Sequence, residues 1–363
     1  MQNIIRWGII GCGDVTEVKS GPAFQHAAGS ELVAVMRRDA AKAEDYARRH
    51  QVSRWYSKAE DLLADPQVDA VYVATPPGSH LQYALAACAA GKPAYVEKPM
   101  ARHQPECQRM VQAFAARNLP LFVAYYRRAL PRFVEARNLI ASGCLGQVTS
   151  VSCRFSAPRA VPRTHNEKTP WRLVAEHSGG GLFLDLASHT LDILDFLFGP
   201  LQAVDGLAGN LGGGEVEDAV TMHFRLPGGA LGAATWNFVA FQREDTIQIT
   251  GPAGRLTLST FGNEPLELET AAGKELLDRP NPAHIQQPLI QSIVDELRGV
   301  SGARCPSTGQ SAARTSAVMD SVLHDYYGGR EDAFWERPGT WARCPGLEQV
   351  AVNCVPVSRT NPT

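Results

Sequence analysis

Hydrophobic positions in the first third of the chain fall in short bursts separated by amphipathic stretches. Apolar runs at 4–10, 31–36, 70–74, 94–96 and 121–124 have the length and composition of buried strands. The stretches between them, 15–28, 40–50, 81–90 and 104–118, are alanine-rich or amphipathic and predict helices. Strands and helices alternating in this rhythm build a doubly wound, mostly parallel sheet.

After about residue 125 the rhythm changes. Pro131, Gly143 and Gly146 punctuate a helix that leads into a strand at 148–155. Val220, Met222, Phe224 and Leu226 alternate with Thr221, His223 and Arg225, so one face meets a core and the other meets solvent. Further strands are predicted at 230–238, 246–250, 255–259 and 266–269, with turns such as Pro227, Gly228 and Gly229 between them. Helical patterns return at 289–297 and 311–327, and the tail from Arg330 is rich in Pro, Trp and Cys without a clear period. No internal repeat or low-complexity tract is present. The expected organisation is therefore an α/β domain over 1–124 and an α+β domain over 125–363 with a large, open, mainly antiparallel sheet. An uncovered apolar side on that sheet would invite burial, which predicts a homo-oligomer, dimer or tetramer, formed through it.

Composition narrows the partners. With 44% hydrophobic and 20% charged residues over 363 positions, a largely disordered chain is excluded and two domains are natural. The formal charge of −2 supplies no basic field, which argues against nucleic acid and anionic membranes and for a small molecule. No apolar run approaches the roughly 20 residues of a membrane span. The N-terminus enters a strand without a charged leader, so a cytoplasmic address is expected. The eight cysteines (Cys12, Cys88, Cys107, Cys144, Cys153, Cys305, Cys344 and Cys354) include no CxxC pair and are expected to be reduced, mostly buried thiols.

The run WGIIGCGDVT at 7–16 places Gly11 and Gly13 where an apolar strand turns into a helix. Gly11 permits the tight turn; Gly13 lets the backbone approach a pyrophosphate held at the helix N-terminus beside Asp14 and Val15. Thr16 takes the third fingerprint position, where Gly or Ala is usual. At the end of the second strand an acid would bind the ribose 2′-hydroxyl, whereas arginine pairs with a 2′-phosphate. Arg37 and Arg38 stand there and favour NADP, with NAD as the alternative. The plainer reading is two solvated arginines followed by Asp39 as a helix N-cap. Thr75 and Pro76 end the strand at 70–74 on the sheet edge where ligands collect. His80, next in that turn, is read either as a cofactor-ribose ligand or as a solvated residue opening a helix.

Two further segments stand out. Glu97, Lys98 and Pro99 end the fourth strand, where the proline stops the ladder and projects Lys98 toward the cleft. Gly179, Gly180 and Gly181 precede a helix that puts Asp185 and His189 four residues apart on one face, with Asp192 three further on. An Asp–His–Asp face also reads as a metal site, but no further ligand cluster accompanies it and none is expected. At these residues the chain resembles the Gfo/Idh/MocA family of oxidoreductases: GIIGCG at 8–13, ATPPGSH at 74–80, EKP at 97–99 and GGGLFLDLASHTLD at 179–192. The resemblance spans nearly the whole chain; the last segment fits GGGxxxDxGxHxxD except that Ala187 replaces the usual glycine.

The resemblance implies a Rossmann domain followed by an open antiparallel-sheet domain, with Lys98, Asp185 and His189 as the catalytic group. It further implies that Tyr126 and Arg127 hold substrate oxygens and that Trp171 and Arg172 lie near the cofactor. A solvated basic helix start and a Trp filling a domain seam are the plain alternatives. The chemistry is coherent. Hydride leaves an alcohol carbon only as the hydroxyl proton is removed, which suits His189 as acid/base. Lys98 would stabilise the developing alkoxide, and Asp185 would orient the imidazole or bind the substrate hydroxyl. The expected activity is NADP-preferring hydride transfer to or from a sugar, polyol or small hydroxycarbonyl compound. Rival readings are a glycosidase using tightly bound nicotinamide for transient oxidation, and a non-enzymatic NADP(H)-binding regulatory protein.

Overall fold

A computed structural model describes residues 4–158, 170–331 and 334; the rest of the tail, with Cys344 and Cys354, lies outside the described residues. Six strands, β1 (Ile5–Ile10), β2 (Ser30–Met36), β3 (Arg54–Tyr56), β4 (Ala70–Val73), β5 (Ala94–Val96) and β6 (Leu121–Val123), form a parallel sheet. Their order is β3-β2-β1-β4-β5-β6, so the winding reverses between β1 and β4 and opens a crevice at the carboxyl ends of the strands. Both faces are covered, with Trp7, Ile9, Tyr72 and Tyr95 in one core and Ile10, Val71, Val73 and Val96 in the other. β3 is only three residues long and half exposed, too short for its period to be read.

The helix expected over 15–28 is two helices, Asp14–Val18 and Gly21–His26. Pro22 has no N–H to offer the preceding turn. The Thr16 carbonyl accepts the Tyr46 hydroxyl at 2.8 Å, and a Cβ on Gly21 would lie 2.2 Å from that same oxygen.

Eight strands, β7 (Ser150–Ser156), β8 (Gln202–Gly209), β9 (Ala219–Arg225), β10 (Leu231–Asn237), β11 (Glu244–Gly251), β12 (Gly254–Leu258), β13 (Leu266–Thr270) and β14 (Gly273–Leu277), make the second sheet. All neighbours pair antiparallel except β7 with β10. The period of two predicted for β9 is observed and recurs in β7 and β10: Val151, Val220 and Ala234 are buried, and Ser152, Thr221 and Thr235 are exposed. β8 and β14 were not predicted, since glycines and an uneven pattern hide their period. The outer face carries Ser150, Ser152, Arg154, His223, Arg225, Ala233 and Thr235, with Leu207 and Leu231 among them. The uncovered apolar side expected of this sheet is therefore not observed.

The C-terminal helix Gly309–Tyr327 returns to the first sheet. Ser307 joins the edge of β6 through its carbonyl and hydroxyl, and Asp320 accepts the Gln104 N–H at 2.6 Å. The two sheets are thus tied by one helix as well as by the cleft between them. Among the described residues six cysteines are free, all but Cys144 buried, and no helix is long and apolar enough to cross a membrane.

Candidate active site

Three loops at the carboxyl ends of β1, β4 and β5 form one wall of a cleft of about 690 Å³, and segments of the second sheet's side form the other. The nucleotide end is made by the first two loops. Gly11 has φ +89°, and a Cβ there would lie 2.6 Å from the Thr75 side chain, so only glycine lets the two loops touch. At Gly13 a Cβ would find its nearest neighbour 3.8 Å away; the space above the loop is open. Thr16 closes the turn from below, its hydroxyl accepting the Gly13 N–H at 3.0 Å and donating to the Gly13 carbonyl at 2.8 Å. The departure from the fingerprint is therefore a buried cap rather than an obstruction. The N–H groups of Asp14 and Val15 meet no acceptor among the described residues, so the first turn keeps donors for an anion.

Arg37 and Arg38 both border this end, Arg38 exposed and Arg37 partly buried with its Nη1 donating to the Cys12 carbonyl at 3.3 Å. Lys19 and Lys42 add two cations that the sequence reading missed. Asp39 is the N-cap of the helix Ala40–Arg49, accepting the Lys42 N–H at 3.2 Å, and also pairs with the Lys42 ammonium at 3.4 Å. A dinucleotide fits these residues: an open glycine turn, free helix N–H groups and a cationic rim.

His80 lies elsewhere. It is fully buried, its Nε2 2.6 Å from the Thr75 carbonyl and its Nδ1 3.1 and 3.2 Å from the Pro99 and Met100 carbonyls. It ties the second loop to the third and does not reach the cleft, which corrects the ribose-ligand reading. Thr75 and Pro76 do line it. Glu97 borders the cleft, but its carboxylate is occupied: Tyr72 and Gln286 donate to Oε1 at 2.6 and 2.8 Å and the Lys98 N–H donates to Oε2 at 3.0 Å. Its visible work is to hold the Lys98 loop.

At the opposite end Lys98, Tyr126, Arg127, Trp171, Arg172, Asp185 and His189 all line the same cleft. Lys98 Nζ lies 2.5 Å from Asp185 Oδ1 and 3.0 Å from its carbonyl, and Arg172 Nε donates to Oδ2 at 3.1 Å. Burial works to raise the Asp185 carboxyl, but these two cations overcome it and hold it below the usual carboxylate range. The Arg172 guanidinium stacks on the Trp171 ring at 4.4 Å.

Asp185 sits in a π-helical turn, Phe183–Ala187, that precedes the α-helix Ser188–Phe198. A π-turn bonds i to i+5, so the four-residue alignment expected of a plain α-helix is offset here. Asp185 accordingly faces Lys98 and does not hydrogen-bond His189, whose buried Nδ1 has no partner. The expectation that Asp185 orients the imidazole is not met. Instead the His189 ring is fixed by edge contacts with Tyr125, Tyr126 and Phe261 at 6.0, 5.6 and 5.7 Å. Burial, then the charges of Arg127 and Lys98, hold the imidazole well below its ordinary value, so it is neutral near pH 7. Asp192 leaves the face altogether and accepts Arg128 in a buried cluster with Asp195. No group of three or more potential metal ligands occurs among the described residues.

The glycine run is clamped by a residue no sequence pattern flagged. Glu217, buried, accepts the Gly181 N–H with both oxygens at 2.8 and 2.9 Å and the Tyr327 hydroxyl at 2.5 Å. A Cβ on Gly181 would stand 2.2 Å from the Glu217 carbonyl oxygen, so glycine is required for this contact.

Comparison with known proteins agrees with this fold. Residues 5–125 match the model described as an oxidoreductase family, NAD-binding Rossmann fold, and residues 133–257 match the GFO/IDH/MocA C-terminal domain. The chain is 36% identical over 326 residues to Oxidoreductase P35 of Formosa agariphila, covering 88% of this chain and 98% of that protein. It is 30% identical over 270 residues to the trans-1,2-dihydrobenzene-1,2-diol dehydrogenase of Bos taurus, covering 73% and 77% of the two chains. A levoglucosan dehydrogenase solved with NADH and levoglucosan superposes with a TM-score of 0.78 at 21% identity, over 88% of this chain and 96% of that one, and shares the fold. Matched in order along both sheets and across a full-length relative, the chain belongs to the Gfo/Idh/MocA family of NAD(P)-dependent oxidoreductases.

Proposed function

We propose that this protein transfers a hydride between NADP(H) and the hydroxyl-bearing or carbonyl carbon of a sugar, polyol or small hydroxycarbonyl compound. The observation that carries this reading is the meeting, in one cleft with the glycine turn, of Lys98 from the first sheet and Asp185 and His189 from the second sheet's side. The bound nicotinamide supplies or accepts the hydride. His189, kept neutral by burial, takes the hydroxyl proton in oxidation and returns it in reduction. Lys98 holds positive charge where an alkoxide develops, and the Asp185 contact fixes the direction in which its ammonium points. Gly11, Gly13, Asp14, Val15, Thr75 and Pro76 would hold the diphosphate side, and Trp171 and Arg172 the nicotinamide side. Two features support NADP over NAD: the Arg37, Arg38 and Lys42 rim, and an Asp39 already committed to capping its helix and pairing with Lys42.

The test is label transfer. NADPH carrying deuterium at both C4 positions is incubated with a panel of aldoses, ketoses and oxo acids and the products are analysed by mass. Deuterium on the reduced carbon is the expected result; consumption of a carbonyl compound with no deuterium retained would overturn direct transfer.

A further inference from the structure

Arg127 and its neighbour Arg128 are both buried, yet only one of them has a carboxylate. Arg128 donates to Asp192 and Asp195, with four hydrogen bonds to carboxylate oxygens between 2.8 and 3.0 Å. Arg127 donates through Nε to the Thr260 carbonyl at 2.8 Å, forms no ion pair, and leaves Nη1 with no acceptor. Its guanidinium lies 4.9 Å from the Tyr126 ring centre and 4.6 Å from that of Phe261. Those are two of the rings that hold His189, so the guanidinium and the imidazole share two aromatic neighbours and both line the cleft.

Among the described residues no acid forms an ion pair with it. Asp245 spends both oxygens on the N–H groups of Thr260 and Phe261, at 2.9 and 2.7 Å. Asp185 is shared by Lys98 and Arg172, and Glu97 is filled by Tyr72, Gln286 and the Lys98 N–H. A buried cation without a direct ion pair is costly; Asp245 and Asp192 act on Arg127 only through space, and the aromatic faces replace only part of its hydration. A ligand that brings its own anion into the cleft removes that cost and accepts a charge-assisted hydrogen bond from the guanidinium.

We infer that the substrate is a hydroxy acid, or the corresponding oxo acid, whose carboxylate is received by Arg127 while the reacting carbon lies at His189. This deepens the proposed hydride transfer and rests on it for the redox step. In that step the carbinol carbon gives a hydride to NADP+ and its hydroxyl a proton to His189, leaving an oxo acid, NADPH and a proton released to solvent. The two shared rings, Tyr126 and Phe261, keep both groups on one part of the cleft lining, which favours a compact acid over one with a remote carboxylate.

The experiment uses pairs that differ only in the acid. D-gluconate against D-glucitol, D-glucuronate against D-glucose, and D-glycerate against glycerol are each assayed with NADP+, and D-gluconate is titrated calorimetrically into the NADPH-loaded protein. The acids should exceed their neutral partners by about 30-fold or more in kcat/KM. Arg127→Met should collapse that ratio toward one, chiefly through KM, and Arg127→Lys should fall between. Neutral polyols turned over as well as the acids would overturn the inference and leave hydride transfer standing. Gluconate binding that vanishes in Arg127→Met without any turnover would sustain the anion site and sink the redox reading. Should Arg127→Met fail to fold, the wild-type ratios decide alone.

Discussion

The two ends of the cleft are built by opposite strategies. At the glycine-turn end each recognition element is a loop that follows its own strand, Lys19, Arg38 and Lys42 stand in solvent, and the acting groups are largely backbone N–H donors. At the end holding Lys98 and His189, the Tyr126, Arg127 and His189 side chains are buried and several partners come from far along the chain: Asp185 lies 87 residues from Lys98, Thr260 133 from Arg127, and Gln286 189 from Glu97. A site of the first kind tolerates exchange of its surface charges. One of the second kind depends on every packed contact behind it, because misplacement by about 1 Å can cost about 100-fold in rate.

This contrast can be broken from either side. The largest effect is expected at Gly181→Ala, which forces the Glu217 backbone away from the turn carrying Asp185. Turnover should fall about 100-fold while NADPH fluorescence titration gives an affinity close to wild type. Equal loss of cofactor binding would mean the two ends are not separable. Next is Arg37→Ala with Arg38→Ala. Loss of charge-assisted hydrogen bonds to a 2′-phosphate should weaken NADP+ by about 10- to 100-fold and NAD+ far less. An equal effect on both cofactors would remove these arginines from the 2′-phosphate.

The smallest effect concerns pH. Burial and the nearby Arg127 and Lys98 charges hold His189 below its ordinary value of 6.5, so its basic form persists as the solution is acidified. The acid limb of kcat/KM should therefore appear below pH 6.5. Removing the Arg127 charge raises the imidazole's proton affinity, so in Arg127→Met the limb moves upward. A limb that stays in place would show that the titrating group is not His189.

The same contrast explains what could be read in advance. Gly11 and Gly13 were legible because their constraint is local: an apolar strand, a turn and a helix in sequence. The alternation of β9 was legible for the same reason. His80 misled, since a histidine in a loop at a sheet edge looks solvent-facing until Pro99 and Met100 close over it. The Asp185 and His189 spacing was read through an ideal α-helix, and the π-turn at Phe183–Ala187 turned Asp185 toward Lys98 instead. Glu217 could not be found, because its partners Gly181 and Tyr327 are 36 and 110 residues away and nothing in its own neighbourhood signals them. The outer face of the second sheet differs from its expected apolar character because serine and threonine suit exposed strand positions as well as β-branched apolar residues suit buried ones.

The account rests on Lys98 and His189 acting together on one carbon from opposite walls of the cleft. Lys98→Met and His189→Ala, assayed side by side for turnover and for NADPH binding, test this most directly. Each is predicted to lose about 100- to 10,000-fold in kcat with cofactor affinity within a few-fold of wild type. Turnover preserved in both variants would contradict it.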